Sequence, residues 1–116
     1  MKDMLIGIDL GSSNVKTMFF SSEGKILAYE AEEYPVYLPK SGWVEYDPDD
    51  WWDGTVKTIK KCISRENIDP KRIAGIGISG LGCCPVPMGE KGNIIYIRKI
   101  KYKIKSKGIY DIKNYI

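Results

Sequence analysis

The chain of 116 residues contains no histidine, only three cysteines, and no apolar run approaching the roughly 18 to 20 residues that a membrane span requires. Without histidine, the commonest general base and the commonest transition-metal ligand are missing together, which closes Ser-His-Asp, Cys-His and zinc-hydrolase chemistry. Cys62, Cys83 and Cys84 are an odd count, and the adjacent pair could join only through a strained ring, so reduced thiols are expected. A vicinal pair with no third or fourth ligand nearby satisfies no zinc geometry, and small thiols lining a pocket wall are the plainer account. Residues 1–10 lack the basic start and long apolar stretch of a signal peptide, so a cytoplasmic protein is expected. What is present is ordinary for a globular chain: 43% hydrophobic and 28% charged residues, at a length that fits one small domain.

Charge is unevenly spread. Residues 1–90 hold 10 Lys/Arg against 14 Asp/Glu, whereas residues 91–116 hold 8 against 1. The alphabet changes at the same place, since Ile, Lys, Tyr and Asn supply 19 of the 23 residues from Ile94 to Ile116. The codons of all four are rich in A and T, so out-of-frame or degenerate translation of an AT-rich gene is one reading. An alternating strand is another, because Ile100, Tyr102 and Ile104 interleave with Lys101, Lys103 and Lys105 at period two. A basic arm on nucleic acid or an anionic membrane surface is the third. The chain is therefore divided into a main part, 1–93, and a divergent basic tail, 94–116.

Within the main part, residues 4–10 read as a strand buried on both faces and ending near Asp9, broken by Gly11 to Asn14. Residues 15–20 are β-branched and aromatic, Glu23-Gly24-Lys25 reads as a tight turn, and residues 26–33 alternate Leu27, Tyr29 and Ala31 with polar positions. Three consecutive antiparallel strands follow. Residues 34–46 carry Pro35, Pro39 and Gly42 without a clear period and read as a crossing loop anchored by Trp43. Asp47 and Pro48 then open a helix as N-cap and first position, with Asp49 and Asp50 at its positive end. Trp52, Val56, Ile59 and Ile63 recur at helical spacing and predict its buried stripe. Residues 73–79 read as a fully buried strand, followed by a further strand at 86–88 and a turn at 89–93. The pattern predicts an α/β fold: a mixed sheet of three antiparallel strands, a crossover helix on one face, and further strands.

Two phosphate-binding patterns fail on inspection. Lys16-Thr17 could close a P-loop, but Leu10 and Val15 stand where glycine is needed. Gly75-Ile-Gly-Ile-Ser-Gly80 fits G-x-G-x-x-G but overlaps the strand it should follow, and Pro85 and Pro87 forbid the helix it should open. The pattern that survives is Asp9-Leu-Gly-Ser-Ser13. A strand holding a carboxylate beside a Gly-Ser-Ser turn can serve a metal and a phosphate together. Asp9 would take Mg²⁺ directly or through water, Gly11 lets backbone approach phosphate oxygens, and Ser12 and Ser13 add N–H and hydroxyl donors.

Four segments occur together and in order: Ile6-Gly-Ile-Asp-Leu-Gly-Ser-Ser-Asn-Val-Lys16, Glu23-Gly-Lys25, Gly42-Trp-Val-Glu-Tyr-Asp-Pro48 with Trp51-Trp52, and Ile73-Ala-Gly-Ile-Gly-Ile-Ser-Gly80. Over residues 4–93 the sequence resembles the amino-terminal part of the FGGY carbohydrate kinases, a branch of the actin-like ATPase superfamily. The resemblance implies a ribonuclease-H-like fold, here an incomplete domain, with ATP and Mg²⁺ as cofactors and a sugar or polyol hydroxyl as acceptor. It implies Asp9 as the metal-organising carboxylate and Gly11, Ser12 and Ser13 as the first phosphate loop. Members similar to xylulose kinases follow the strand ending at Ser79-Gly80 with Gln-Met-His, and glycerol kinases carry Arg-Glu in that region. Here Leu81, Gly82 and Cys83 stand there, which places Gly82 and Cys83 at the substrate wall but leaves the acceptor unnamed. Trp43, Trp51 and Trp52 read first as core and loop anchors, with the border of a sugar site as the other reading.

The resemblance further implies a Pro-bearing segment, an apolar-Trp-x-Asp-x-Arg element and a later general-base Asp; none follows Asn93. No catalytic base is therefore assigned, and the isolated chain is expected to be inactive or nearly so. An oligomer or a complementing fragment is left open, and a membrane partner is not expected. A two-metal nuclease would need acids at neighbouring strand ends, where only Glu90 is available. The alternative function is a noncatalytic fragment whose basic tail binds nucleic acid or an anionic surface.

Overall fold

The computed structural model describes residues 1–82, 84, 86 and 88–93, and the backbone of 100–103. Cys83 and the remainder of the 94–116 tail lie outside the described residues. The chain divides into two units, Met1–Tyr34 with Asp50–Cys83, and Pro35–Asp49 with the residues from Cys84 onward.

The first unit is a four-stranded sheet with a helix on one face. Strands β1 (Met4–Leu10), β2 (Asn14–Ser21) and β3 (Ile26–Glu33) form an antiparallel meander, α1 (Pro48–Arg65) crosses over, and β5 (Ile73–Gly80) returns parallel to β1; β4 (Trp43–Tyr46) belongs to the second unit. The order β3-β2-β1-β5 is the mixed sheet expected from the sequence. Gly24, at φ +80°, takes the left-handed conformation that the β2–β3 turn requires.

Burial departs from expectation in three elements. β1 is not buried on both faces: Met4, Ile6 and Ile8 are buried, while Leu5 and Asp9 on the opposite side are exposed. In β3 the core residue is Ala28, and Glu30 and Glu32 share its side of the strand. These carboxylates are met by α1, whose Lys57 and Lys61 pair with Glu32 and whose Arg65 pairs with Glu30. Hydrogen bonds from Lys57 and Lys61 hold the Glu32 carboxyl below the usual carboxylate range. β5 is an edge strand with most of its residues exposed, rather than a fully buried one.

The helix also buries a different stripe from the predicted one. Gly54, Thr58 and Cys62, each four residues apart, are its buried positions, whereas Trp52 is 69% exposed. Small residues win this face because the helix lies close to the sheet. A Cβ on Gly54 would sit 3.1 Å from Val15 Cγ1, and the Thr17 and Thr58 hydroxyls are 2.7 Å apart with both residues fully buried. Burial pushes the Cys62 thiol pKa up, with Glu30 adding to the effect. Asp69 caps the 3-10 turn at Pro70–Arg72, and Arg72 reaches both carboxylate oxygens of Asp3, at 3.0 and 2.6 Å, joining the entrances of β1 and β5.

In the second unit, the crossing loop expected at 34–46 contains strand β4, which pairs antiparallel with β6 (Ile100–Lys103), and Tyr37 bridges Glu45. The tail segment that alternates in sequence thus forms a strand where it is described. No strand is described at 86–88, where Met88 makes a bridge alone, while the 89–93 turn is present with Gly89 N–H donating to Asn93 O at 2.7 Å. Asp47 Oδ1 accepts from Asp49 N–H at 3.1 Å, as an N-cap should. Among the described residues no helix is long and apolar enough to cross a membrane.

Candidate functional site

The parallel pair β1 and β5 ends at one margin of the sheet, where Asp9 stands beside Ser79 and Leu10 beside Gly80. Leu81 N–H donates to Leu10 O at 2.9 Å, carrying the pairing one residue further. Carboxyl ends of parallel strands are where α/β sheets present loops to ligands. The β1–β2 turn, residues 11–13, lies here.

That turn is held by backbone rather than by its own side chains. Gly11 N–H donates to Asn14 O at 2.9 Å. A Cβ at Gly11 would lie 3.0 Å from the same carbonyl, so the tight return is open only to glycine without displacement. From beneath, the buried Tyr34 at the end of the meander donates its hydroxyl toward Gly11 O and Asn14 O, and its N–H bonds Ser13 O at 3.1 Å. Ser12 and Ser13 are left exposed.

Asp9 is on the exposed side of β1, with 53% of its side chain accessible. Directly opposite on β2, Lys16 places Nζ 3.7 Å from Asp9 Oδ2. A carboxylate, an ammonium and a serine-bearing turn therefore share one exposed margin. Among the described residues no group of three His, Cys, Asp or Glu could hold a metal by itself. A lone accessible carboxylate still suits Mg²⁺, which is commonly held by one or two carboxylates together with waters and substrate phosphates.

The structure thus brings Asp9, Gly11, Ser12 and Ser13 together. Gly82 lies exposed just past Leu81, and Cys83 is outside the described residues. Two contributors were missed by sequence reasoning. Lys16 figured as the end of a failed P-loop and of the first matching segment but was given no role, although its pairing position across a two-strand hairpin from Asp9 was readable from the turn. Tyr34 figured only as the start of a loop, and nothing local marks a tyrosine whose hydroxyl serves a turn twenty residues away. The open groove along α1 lined by Glu30, Lys57, Lys60, Lys61 and Arg65 is a separate feature, in which Glu32 pairs with Lys57 and Lys61 and Glu30 with Arg65.

A profile of the FGGY family of carbohydrate kinases, N-terminal domain, matches residues 4–111. A glycerol kinase of Leptospira biflexa is 38% identical over 78 residues, covering 67% of this chain and 16% of that protein. A xylulose kinase of Bacillus subtilis is 40% identical over 76 residues, covering 66% of this chain and 15% of that protein. The crystal structure of a xyloylose kinase from Brucella ovis superposes with a TM-score of 0.75 at 26% identity, covering 80% of this chain and 20% of that one. The chain thus spans about a sixth to a fifth of the relatives it matches. By sequence profile and by fold, the chain belongs to the FGGY family of carbohydrate kinases, through that family's N-terminal domain.

Proposed function

We propose that the margin formed by Asp9, Gly11, Ser12, Ser13 and Lys16 is the phosphate and magnesium end of an ATP site, in a kinase that phosphorylates a sugar or polyol hydroxyl. The observation that carries this reading is the accessible Asp9 carboxylate, set across from Lys16 and beside a serine turn so tight at Gly11 that a Cβ there would press on Asn14 O. Asp9 would hold magnesium, directly or through its water shell, while Ser12 and Ser13 donate N–H and hydroxyl bonds to phosphate oxygens. Lys16 adds a positive charge on the same side, which attracts a polyphosphate and helps offset its charge. Magnesium, when bound with nucleotide, screens the phosphate oxygens. Gly82 and Cys83 would border the acceptor, and their lack of fixed polar groups leaves its identity to residues elsewhere.

The reading divides the chain into a kinase-like part at 1–93 and a basic tail at 94–116, whose residues 100–103 add a strand to β4. A cytoplasmic setting goes with it, since the substrates of such a kinase and reduced thiols are both found there.

Calorimetric titration with ATP, with and without magnesium, tests the site. Weak binding that needs magnesium is expected. Asp9→Ala should lower the affinity about tenfold or more, equal to ~1.4 kcal/mol, and circular dichroism should be unchanged because the side chain is exposed. Lys16→Gln should weaken ATP more than AMP. Binding indifferent both to magnesium and to Asp9→Ala, or no binding at all, would overturn the assignment.

A further inference from the structure

Three carbonyls of the β1–β2 turn are bonded from one side, while its serines are left open on the other. Gly11 O and Asn14 O accept from the Tyr34 hydroxyl, Asn14 O accepts also from Gly11 N–H at 2.9 Å, and Ser13 O accepts from Tyr34 N–H at 3.1 Å. Ser12 and Ser13 are exposed, and among the described residues neither their N–H groups nor their hydroxyls have a partner. Tyr34 thus touches all three bonded carbonyls from 23 positions beyond Gly11.

The direction of the Ser12 N–H follows from peptide geometry. The described chain has no cis peptide bond, and in a planar trans unit the C=O and N–H point in opposite directions. The Gly11 carbonyl points at the hydroxyl of the buried Tyr34, so the Ser12 N–H of the same unit points away from it. Glycine permits that unit to turn over more readily than any other residue would, and the bond from Tyr34 opposes the turn. The ring itself is seated against α1 at Gly54, where a Cβ would lie 3.7 Å from Tyr34 Cδ1. Outward N–H groups are what a backbone turn offers an anion.

We infer that Tyr34 is a positioning residue for phosphate: its hydroxyl, by holding Gly11 O and Asn14 O, aims the Ser12 N–H at a phosphate oxygen of the nucleotide. The phenol touches no ligand and acts through the turn. Its role rests on the nucleotide reading of the margin and extends it, from the groups that would touch phosphate to the one that orients them. Tyr34→Phe isolates this role, since it keeps the buried ring and leaves Gly11 O with no partner among the described residues.

Calorimetric titration of the full chain with magnesium-ATP, and separately with magnesium-tripolyphosphate, compares the wild type with Tyr34→Phe and Thr58→Val. Thr58→Val removes a buried hydroxyl from the same unit without touching the turn. Circular dichroism should be unchanged in both variants, and urea unfolding ranks their stabilities. Tyr34→Phe should weaken both ligands on the order of tenfold, the effect of about one lost hydrogen bond. Thr58→Val should lower the urea midpoint and bind as the wild type does. In ¹⁵N–¹H spectra of the wild type, the Ser12 amide should shift on addition of magnesium-ATP. Wild-type binding that Tyr34→Phe leaves unchanged overturns the role of Tyr34 while the nucleotide reading stands. Equal weakening in Thr58→Val also overturns it, because the loss would then follow stability alone. A Ser12 amide that does not move when the wild type binds overturns it with no variant needed. A wild type that binds neither ligand removes the nucleotide reading itself, and the role of Tyr34 with it.

Discussion

Thr17 and Thr58 show how one hydroxyl pair can fix the docking of a helix. Thr58 donates its only proton to Thr55 O at 2.9 Å, so the 2.7 Å contact with Thr17 is made by the Thr17 proton. The two substitutions are then unequal. Thr17→Val removes a donor but leaves Thr58 bonded to its helix, costing about 0.5–1.5 kcal/mol, the net value of one ordinary hydrogen bond. Thr58→Val strands the Thr17 proton in a site with no water access, costing about 1–3 kcal/mol. The double variant should cost less than the sum, since replacing both partners leaves no group unsatisfied. Urea unfolding of the three variants measures this. Equal losses in the two single variants would mean that the proton lies the other way.

At the scale of elements, the antiparallel meander, the Asp47-capped helix and a further strand after the crossover were legible in the sequence, whereas its place beside β1 was not. Each rests on a local signal: alternation in β2, the Glu23-Gly24-Lys25 turn, the Asp-Pro cap and the uncharged run of β5. Which face of α1 would be buried was not legible. Hydrophobic spacing picks out Trp52, but the sheet accepts Gly54, Thr58 and Cys62, because close approach rewards small volume over apolar area. The acidic side of β3 was likewise invisible until α1 supplied its lysines and arginine. At the candidate site, Asp9 and the turn after it could be read directly, whereas Tyr34 acts through a contact that only folding creates. The β3–α1 charge pairing has a pH signature. Glu32 binds its proton less tightly in the folded chain than in the unfolded one, so as pH falls below about 4.3 the unfolded state takes up the proton first and the pairing's stabilisation drains away. It is fully present at neutral pH and lost through the acid range. Glu32→Gln should therefore lower the urea midpoint at pH 7 and narrow its fall between pH 7 and pH 3. An unchanged fall would show that Glu32 contributes nothing to it.

Across the whole molecule, the limiting fact is how small a share of its relatives' length this chain spans. The matched relatives are five to six times longer than the part aligned here. Phosphoryl transfer has little covalent chemistry for a protein to perform; it requires donor and acceptor held in line while charge on the moving group is balanced. On the proposed reading, one serine turn, one carboxylate and one lysine would bind the phosphate end of a nucleotide, but they would not also orient an acceptor hydroxyl, which Gly82 does not reach for with any polar side chain. Binding without turnover is therefore the expected behaviour of this chain. Purified protein supplied with ATP, magnesium and, in turn, D-xylulose, L-ribulose, glycerol or gluconate should release no ADP above the protein-free rate in a coupled enzyme assay. Asp9→Ala should make no difference to that rate, while weakening nucleotide binding as proposed above. Acceptor-dependent turnover that disappears in Asp9→Ala would reverse the conclusion, because it would mean that these strands hold a complete transfer site and that the acceptor is gripped by residues not yet assigned to it.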